Sequence, residues 1–316
     1  MTVLGLDTSN YRTSVALVSE KDGILMNYRK LLPVPSGARG LRQNEAVFAH
    51  LKQLAEAAEE LQLVRKEPIN AVAASVSPRD GADSYMPVFQ AGASFGHLFA
   101  AAAGIPFIGT THQRGHLAAA AMNTIIEDAD DYLALHLSGG TTDLLEVRKR
   151  YIKKIGGSLD LHAGQLVDRA GVSMGLPFPA GPGLEKMAEN GISEGLLGCS
   201  MENNDLFCHI SGAESQVQRW MIVREPYSQE RIAREIYDFL ARISARMLIA
   251  GSRLTGLHTA LVTGGIASSE LFREMLYSRS SGKREMPEII FGQPEMSGDN
   301  AVGVAKIGLK RLKNPG

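Results

Sequence analysis

The stretch YLALHLSGGTTDLLEV at residues 132–147 says most about the fold, because its pattern predicts a strand, a turn of small polar residues and a second strand. Short apolar runs on either side of glycines and hydroxyl-bearing residues are typical of a β-hairpin. The chain opens with the same arrangement, VLGLDTSNYRTSVALV at residues 3–18. We therefore expect two related strand–turn–strand units, separated in the sequence by about the length of one lobe of the protein.

The segments between and beyond these units predict helices and strands in alternation, which indicates an α/β fold. Buried strands are expected at residues 71–76, 105–108, 260–262 and 288–291, and helices at 89–103, 164–170 and from residue 298 onward. One amphipathic helix is indicated by apolar residues at helical spacing, which are Val47, Leu51, Leu54, Ala58 and Leu61. A longer helix is indicated in the same way by Ile232, Ile236, Leu240, Ile243 and Met247. Residues 191–226 have the weakest pattern and are expected to be loop-rich.

Length and charge set the first bounds on organisation. At 316 residues the chain is longer than most single domains, so we expect two lobes. The predicted lobes are residues 1–131, with a C-terminal helix at 298–316 packing back on them, and residues 132–297. The net charge of -1 excludes a global attraction to nucleic acid but leaves a local basic patch open.

The sequence lacks the features that indicate secretion or membrane insertion. Its two cysteines, Cys199 and Cys208, are too few for a disulfide framework. The first residues reach Asp7 without the apolar run of a signal peptide, and no apolar stretch is long enough to span a bilayer. We therefore expect a soluble, cytoplasmic protein without membrane contact.

His112 and His116 are candidate metal ligands, because a helix places residues four apart on one face, where two imidazoles can bind a single ion. The alternative is a surface helix that happens to carry two histidines. Asp299, near the start of the last helix, is either an N-cap or a third ligand. Two histidines and a carboxylate would suit ferrous iron, zinc or manganese, and would leave positions open for water or substrate.

Two glycine-rich turns are candidates for binding a phosphate. At residues 138–142, glycines let backbone N–H groups approach an anion and hydroxyls add donors, although a Gly-Gly turn between strands is also an ordinary hairpin. The turn Thr263-Gly264-Gly265 follows a buried strand, which is where ligands bind in open α/β sheets. Neither turn matches a Walker loop or a dinucleotide fingerprint.

A loop rich in Pro and Gly at residues 175–183 lies between two carboxylates, Asp168 and Glu185. Such a loop is rigid by default. The alternative is a wall against a sugar or base, with the two carboxylates accepting hydrogen bonds from hydroxyl groups.

Taken together, these segments resemble the family that makes the threonylcarbamoyl modification of tRNA adenosine, whose members were formerly called O-sialoglycoprotein endopeptidases of peptidase family M22. The resemblance covers nearly the whole chain, and the order and spacing of its motifs make it specific. These motifs are Gly5-Leu6-Asp7-Thr8-Ser9, His112-x-x-Gly-His116, Ser138-Gly139-Gly140, Asp168, Phe178-Pro179-Ala180-Gly181-Pro182, Ile210-Ser211-Gly212, Gly264-Gly265-Ile266-Ala267 and Asp299-Asn300-Ala301.

The resemblance implies the actin-like ATPase fold, with two ribonuclease-H-like lobes around a central cleft, and transfer of threonylcarbamoyl from an adenylate to adenosine 37 of tRNA. It implies that His112, His116 and Asp299 hold a divalent metal (iron, zinc, manganese or magnesium), and no catalytic residue is assigned. The implied partners are an adenine nucleotide, tRNA and a homologous chain of the same fold. The residues implied to bind ATP, AMP or the acyl-adenylate are Leu137, Ser138, Gly139, Gly140, Thr141, Asp168, Gly181, Glu185, Gly264, Gly265 and Ser269.

The chain departs from the family pattern near its start. Asn10, Tyr11 and Arg12 replace an acidic stretch, which changes the charge beside the expected phosphate and metal. Farther along, Thr141 replaces a histidine and Ser269 replaces an asparagine. These departures leave open the alternative that the chain is a diverged paralogue, which serves as a non-catalytic partner subunit.

Two further functions are weaker alternatives. A metallopeptidase of the M22 type is disfavoured because Gln113 and Arg114, rather than a glutamate base, follow His112. A sugar kinase rests on fold analogy alone.

Overall fold

The computed structural model describes residues 1–9, 11–34, 41–81, 83–223, 227–280, 282–283, 285–296, 298 and 301–314. The chain divides into two compact units, Met1–Met122 with Gly298–Gly316, and Asn123–Ser297. The helices and strands, in chain order, are β1 (Thr2–Thr8), β2 (Arg12–Ser19), β3 (Gly23–Leu31), α1 (Gln43–Val64), β4 (Ala71–Ser77), α2 (Val88–Ala103), β5 (Phe107–Thr111), α3 (His112–Ala121), β6 (Tyr132–Leu137), β7 (Thr142–Val147), β8 (Ile152–Ser158), α4 (Ala163–Ser173), α5 (Gly181–Ala188), β9 (Ser200–Glu202), β10 (Phe207–His209), α6 (Ser211–Val223), α7 (Gln229–Thr255), β11 (Thr259–Thr263), α8 (Glu270–Ser280), β12 (Glu288–Phe291) and α9 (Val302–Lys313).

The first unit is a five-stranded sheet covered by helices on both faces. Its strand order is β3-β2-β1-β4-β5, with β1, β4 and β5 parallel and the other pairs antiparallel. Successive side chains of a strand point to opposite faces. On β1, Leu4 and Leu6 pack with Leu54 of α1, whereas Val3 faces Gly308 of α9. Helices α1 and α2 therefore cover one face, and α9 with α3 covers the other.

The strand predicted at residues 105–108 is displaced toward the C-terminus, because it starts at Phe107 and extends to Thr111. The N–H of Ile105 closes α2 by donating to the Ala100 carbonyl, 3.0 Å away, and Pro106 has no N–H to donate. The shift brings the end of β5 directly to the first histidine of α3.

The apolar stripe predicted for α1 is confirmed at Leu54, which is buried, and at Val47 and Leu61, which pack against the core. It is wrong at the other two positions, because Leu51 is 39% exposed and Ala58 is exposed as well. The buried residues are Ala46, His50, Gln53, Leu54 and Ala57. The polar members are buried because they are hydrogen-bonded: the Thr13 Oγ1 atom lies 2.7 Å from His50 Nδ1 and donates to Gln53 Oε1 at 2.6 Å.

The second unit is a seven-stranded sheet in the order β12-β11-β6-β7-β8-β10-β9. Strands β6, β7 and β8 form an antiparallel meander, and β6, β11 and β12 are parallel. Helix α7 buries the predicted stripe from Ile232 to Met247. The region from 191 to 226 is more ordered than expected, because it holds β9, β10 and α6 among its described residues.

The two units share one strand arrangement. A hairpin with a third antiparallel strand is followed by two parallel strands, so β8-β7-β6-β11-β12 repeats β3-β2-β1-β4-β5. This confirms the repeated strand–turn–strand pattern and the α/β class. Within the described part of the chain, no helix is both long enough and apolar enough to cross a membrane.

Candidate functional site

The two histidines converge at the start of α3, in the first unit. Their Nε2 atoms lie 2.9 Å apart, and the two rings are nearly perpendicular, with centroids 4.3 Å apart. Thr111 at the end of β5 is the N-cap, because its hydroxyl accepts a hydrogen bond from the backbone N–H of Arg114. The helical register thus turns both Nε2 atoms toward one point.

Asp7, at the end of β1, fixes the orientation of His112. Its Oδ2 atom lies 2.8 Å from His112 Nδ1, and its side chain is 1% exposed. Because a carboxylate only accepts, Nδ1 carries the hydrogen, and a neutral His112 directs the lone pair of Nε2 toward His116. The other oxygen, Oδ1, is buried and has no hydrogen-bond partner among the described residues. Sequence reasoning missed this role, although an aspartate directly after a buried strand was a signal for it.

This arrangement fits a metal site. A metal-bound histidine commonly donates its other ring N–H to a carboxylate, which sets the tautomer and the ring direction. His112 has that partner, and His116 presents a second nitrogen beside it. Within the described residues, no group of three or more His, Cys, Asp or Glu side chains assembles as a metal cluster. Asp299, the predicted third ligand, lies outside the described residues.

An ion pair holds the start of α3 in place. Arg114 donates to Asp80 from Nε at 2.9 Å and from Nη2 at 2.5 Å. The Thr111 hydroxyl donates to the same carboxylate at 3.3 Å. A bidentate arginine–carboxylate pair is geometrically specific, so it restricts how the histidine-bearing turn can move.

The departures near the start of the chain lie in the same unit as the two histidines. Tyr11 is 70% exposed, and Asn10 lies outside the described residues. A methyl group added at Gly298 would come 3.7 Å from Arg12 Nη1 and 2.7 Å from Arg29 Nη2. Two guanidinium groups therefore lie beside the residue that precedes Asp299.

The first glycine turn, at residues 138–141, joins β6 to β7 in the second unit. It is a hairpin closed by Ser138 N–H donating to the Thr141 carbonyl at 2.8 Å. The N-terminus of α4 packs on it, because a Cβ at Gly164 would come 2.6 Å from Gly139 N. Gly139 and Gly140 are exposed, with open space where a side chain would be. Helix N-termini and glycine-rich turns both favour anions.

The second turn lies beside the first. Gly264 has φ +100°, and a Cβ there would overlap the carbonyl oxygen of Leu137, the last residue of β6. Gly265 faces open space. The structure therefore brings the two predicted turns together at the carboxyl ends of the adjacent parallel strands β6 and β11.

The remaining predicted residues surround a tyrosine that sequence reasoning missed. Tyr237 is buried, donates to the Gly181 carbonyl at 3.1 Å and lies beside Ser269. Burial, together with the charges of Glu185 and Asp168, raises the pKa of Tyr237, so the phenol stays protonated and acts as a donor. A tyrosine within the apolar stripe of α7 was the available signal.

Each of the two carboxylates has one oxygen engaged by the backbone. Asp168 Oδ1 accepts from the N–H of Ala180 at 2.8 Å, and Glu185 Oε1 accepts from the N–H of Leu271 at 3.0 Å. These bonds hold the carboxylates against the Pro-rich loop and the start of α8.

Comparison with solved structures identifies the fold. A ROK hexokinase from Thermus thermophilus matches with a TM-score of 0.56 at 15% identity, over 99% of this chain and 100% of the hexokinase. The activator of 2-hydroxyisocaproyl-CoA dehydratase from Clostridium difficile, with bound ADPNP, matches with a TM-score of 0.54 at 14% identity, over 100% and 97% of the two chains. These proteins share the actin-like ATPase fold, which confirms the predicted fold class.

Comparison of sequences gives the family. The tRNA N6-adenosine threonylcarbamoyltransferase of Thermotoga neapolitana is 25% identical over 319 residues, covering 99% of this chain and 95% of the relative. The enzyme of the same name from Methanopyrus kandleri is 27% identical, covering 98% of this chain and 87% of that one. The family model of tRNA N6-adenosine threonylcarbamoyltransferase matches residues 44–306, and the chain therefore belongs to that family.

Proposed function

We propose that this chain is a metal-dependent transferase that moves a threonylcarbamoyl group from its adenylate to N6 of an adenosine in tRNA. The observation that carries the proposal is the pair of Nε2 atoms of His112 and His116, 2.9 Å apart, with Asp7 behind the first ring. Family membership supplies the reaction class. A cytoplasmic location is consistent with a tRNA-modification enzyme, and we propose that compartment.

His112 and His116 would hold the metal, with Asp299 as the third ligand. Imidazole and carboxylate ligands suit iron, zinc and manganese. When bound, such an ion supplies Lewis acidity for a carbonyl or phosphoryl oxygen. Asp7 would keep Nδ1 of His112 protonated and Nε2 directed at the ion.

The second unit would bind the adenylate. The turn at residues 138–141 and the N-terminus of α4 would face the phosphate, and Gly264 with Gly265 would face the nucleoside. Asp168 and Glu185 have one oxygen each engaged by backbone N–H groups, and the other oxygen would accept a hydrogen bond from a ligand hydroxyl. Tyr237 would position this group through Gly181 and Ser269.

In the transfer itself, N6 of adenosine attacks the carbamoyl carbon. The bond from that carbon to the phosphate oxygen breaks, AMP leaves with the electron pair and N6 loses a proton. The protein's contribution is to hold the two reactants together and to stabilise the charge on the departing phosphate.

The experiment is a transfer assay with the purified chain, the threonylcarbamoyl adenylate, tRNA and added Zn²⁺, Fe²⁺ or Mn²⁺. We expect metal-dependent product from the unmodified chain and none from His112→Ala or His116→Ala. Gln113→Ala, which changes the same helical turn without touching the histidines, is the control. Equal product from the histidine variants would overturn the proposal.

A partner subunit of the same fold is the second candidate, favoured by an apolar surface on α1 and α2. Phe48 and Leu98 are 59% and 73% exposed, and Phe95 of α2 lines a cavity of about 380 Å³ with Leu54 and Leu61 of α1. Apolar side chains exposed on two helices that contact each other are typical of an interaction site. A second copy of the chain is the occupant that we test.

Sedimentation velocity checks this second candidate. Phe48→Asp with Leu98→Asp should convert a dimer to a monomer, whereas Ile192→Asp, at an exposed apolar position in the other unit, should not. A monomer in every variant and in the unmodified chain would count against it.

A further inference from the structure

A basic groove runs along α7 in the second unit, away from the glycine turns. Three adjoining cavities of about 550, 210 and 830 Å³ make up this groove, which we call the α7 groove. All three are lined by Lys283, and two of them also by Arg279.

One face of α7 supplies the floor of the α7 groove. The charged residues on that face are Arg234, Asp238, Arg242, Arg246 and Arg253. Their spacing of four, four, four and seven residues keeps them on one side of the helix. At 1.5 Å per residue the row is about 28 Å long, which is too long for a single small anion.

The charges of the α7 groove do not cancel. Asp238 is 5% exposed and forms ion pairs with both Arg242, at 2.9 Å, and Arg279. Two guanidinium groups thus share one buried carboxylate. Arg234 and Lys283 have no ion-pair partner among the residues that the structure describes.

Around the whole groove, cations outnumber carboxylates. Arg246 pairs with Asp205 and Arg253 with Glu285, and Glu274 is exposed at the rim. The set has six cations for four carboxylates, in a chain whose net charge is -1. The excess of positive charge is therefore local to the α7 groove, because the chain as a whole carries a small negative charge.

The donors of the α7 groove suit phosphate oxygens. Guanidinium groups bind phosphates through paired N–H donors, and the hydroxyls of Ser193 and Ser278 line the same cavity as Arg234. We propose that the α7 groove binds the sugar-phosphate backbone of an RNA. The proposal rests on the proposed function, because the RNA would be the tRNA acceptor, and it assigns part of the acceptor's binding to this surface.

The test measures binding of a fluorescently labelled tRNA by anisotropy at several salt concentrations, with the full chain. The variant carries Arg234→Ala and Lys283→Ala. The control carries Lys149→Ala and Arg150→Ala, the same charge change at an exposed turn of the same unit. Arg234→Lys with Lys283 intact tests whether charge suffices, and thermal unfolding shows that the variants fold.

Losing two phosphate contacts should lower the slope of log affinity against log salt by about 1.4–1.8, and should weaken binding roughly tenfold or more at ~0.1 M salt. The control should keep the slope of the unmodified chain, and Arg234→Lys should keep most of it. A folded double variant with an unchanged slope would overturn the proposal.

Further arms separate the sources of the anion. If the double variant loses labelled ADP and keeps tRNA, the groove is a free-nucleotide site and the proposal fails. If polyglutamate of matched charge displaces tRNA from the groove as well as unlabelled tRNA does, the surface fits an acidic protein instead, and the proposal also fails. If the unmodified chain catalyses transfer and the double variant binds tRNA as well as the unmodified chain does, the groove proposal fails while the proposed function stands. If the double variant loses tRNA binding but the unmodified chain catalyses no transfer, the proposed reaction fails while the groove proposal stands.

Discussion

Replacing Asp7 with Asn tests the role of the carboxylate behind His112. The substitution preserves shape but turns a charge-assisted hydrogen bond, 2.8 Å long, into a neutral one. It also puts an amide NH₂ where a buried oxygen has no partner among the described residues. Loss of a carboxylate that hydrogen-bonds a metal-binding histidine typically costs about 10- to 100-fold in metal affinity, or about 1.4–2.7 kcal/mol.

The assay is a Zn²⁺ titration of the chelator-stripped protein against a chromophoric competitor. Asp22→Asn is the control, because it removes the same charge from an exposed turn of the same unit. We expect the control to bind Zn²⁺ as the unmodified chain does and Asp7→Asn to bind about 10- to 100-fold more weakly. Equal affinity in Asp7→Asn would refute the inference that Asp7 orients a metal-binding histidine.

Three further predictions address the second unit. Gly264→Ala should destabilise the protein by more than ~2 kcal/mol in chemical denaturation and abolish AMP binding in calorimetry, because φ is +100° and a Cβ would overlap the Leu137 carbonyl. Tyr237→Phe should lower the free energy of unfolding by about 1 kcal/mol, since it leaves the half-buried Gly181 carbonyl without its donor, and should weaken AMP binding. Hydrogen bonding to Glu202 raises the pKa of His209. The stability that protonated His209 contributes is therefore present at acidic pH and is lost as the pH rises through the raised pKa. An NMR titration should show a lower pKa of His209 in Glu202→Gln.

Each of these predictions can be contradicted by a specific result. Gly265→Ala is the control for the turn, because that residue has φ -58° and open space around it. If both glycine variants were equally stable, the close approach would be unimportant. AMP affinity unchanged in Tyr237→Phe would remove that residue from the site. An unchanged His209 titration in Glu202→Gln would show that the 2.6 Å contact is not what holds its proton.

Local patterns in the sequence were sufficient to predict the helices and strands that bury one apolar face. The period of Ile232, Ile236 and Leu240 predicted α7, and the apolar runs on either side of the turn at 138–141 predicted the hairpin that the structure contains. The repeat of that hairpin at the start of the chain predicted two related sheets.

Long-range hydrogen bonding explains what the sequence could not show. The buried face of α1 includes His50 and Gln53, which is favourable because groups far away in sequence satisfy them. These partners are the Thr13 hydroxyl, for both side chains, and the backbone carbonyls of Ser9 and Leu31. Asp7 and His112 are 105 residues apart, so no local pattern links them. Strands of three residues, such as β9 and β10, are too short for a period to be visible.

Native mass spectrometry of the metal-loaded protein counts the metal ions that His112 and His116 bind. We expect one ion per chain in the unmodified protein and no ion retained by His112→Ala or His116→Ala. Retention of the ion by both histidine variants would contradict this expectation.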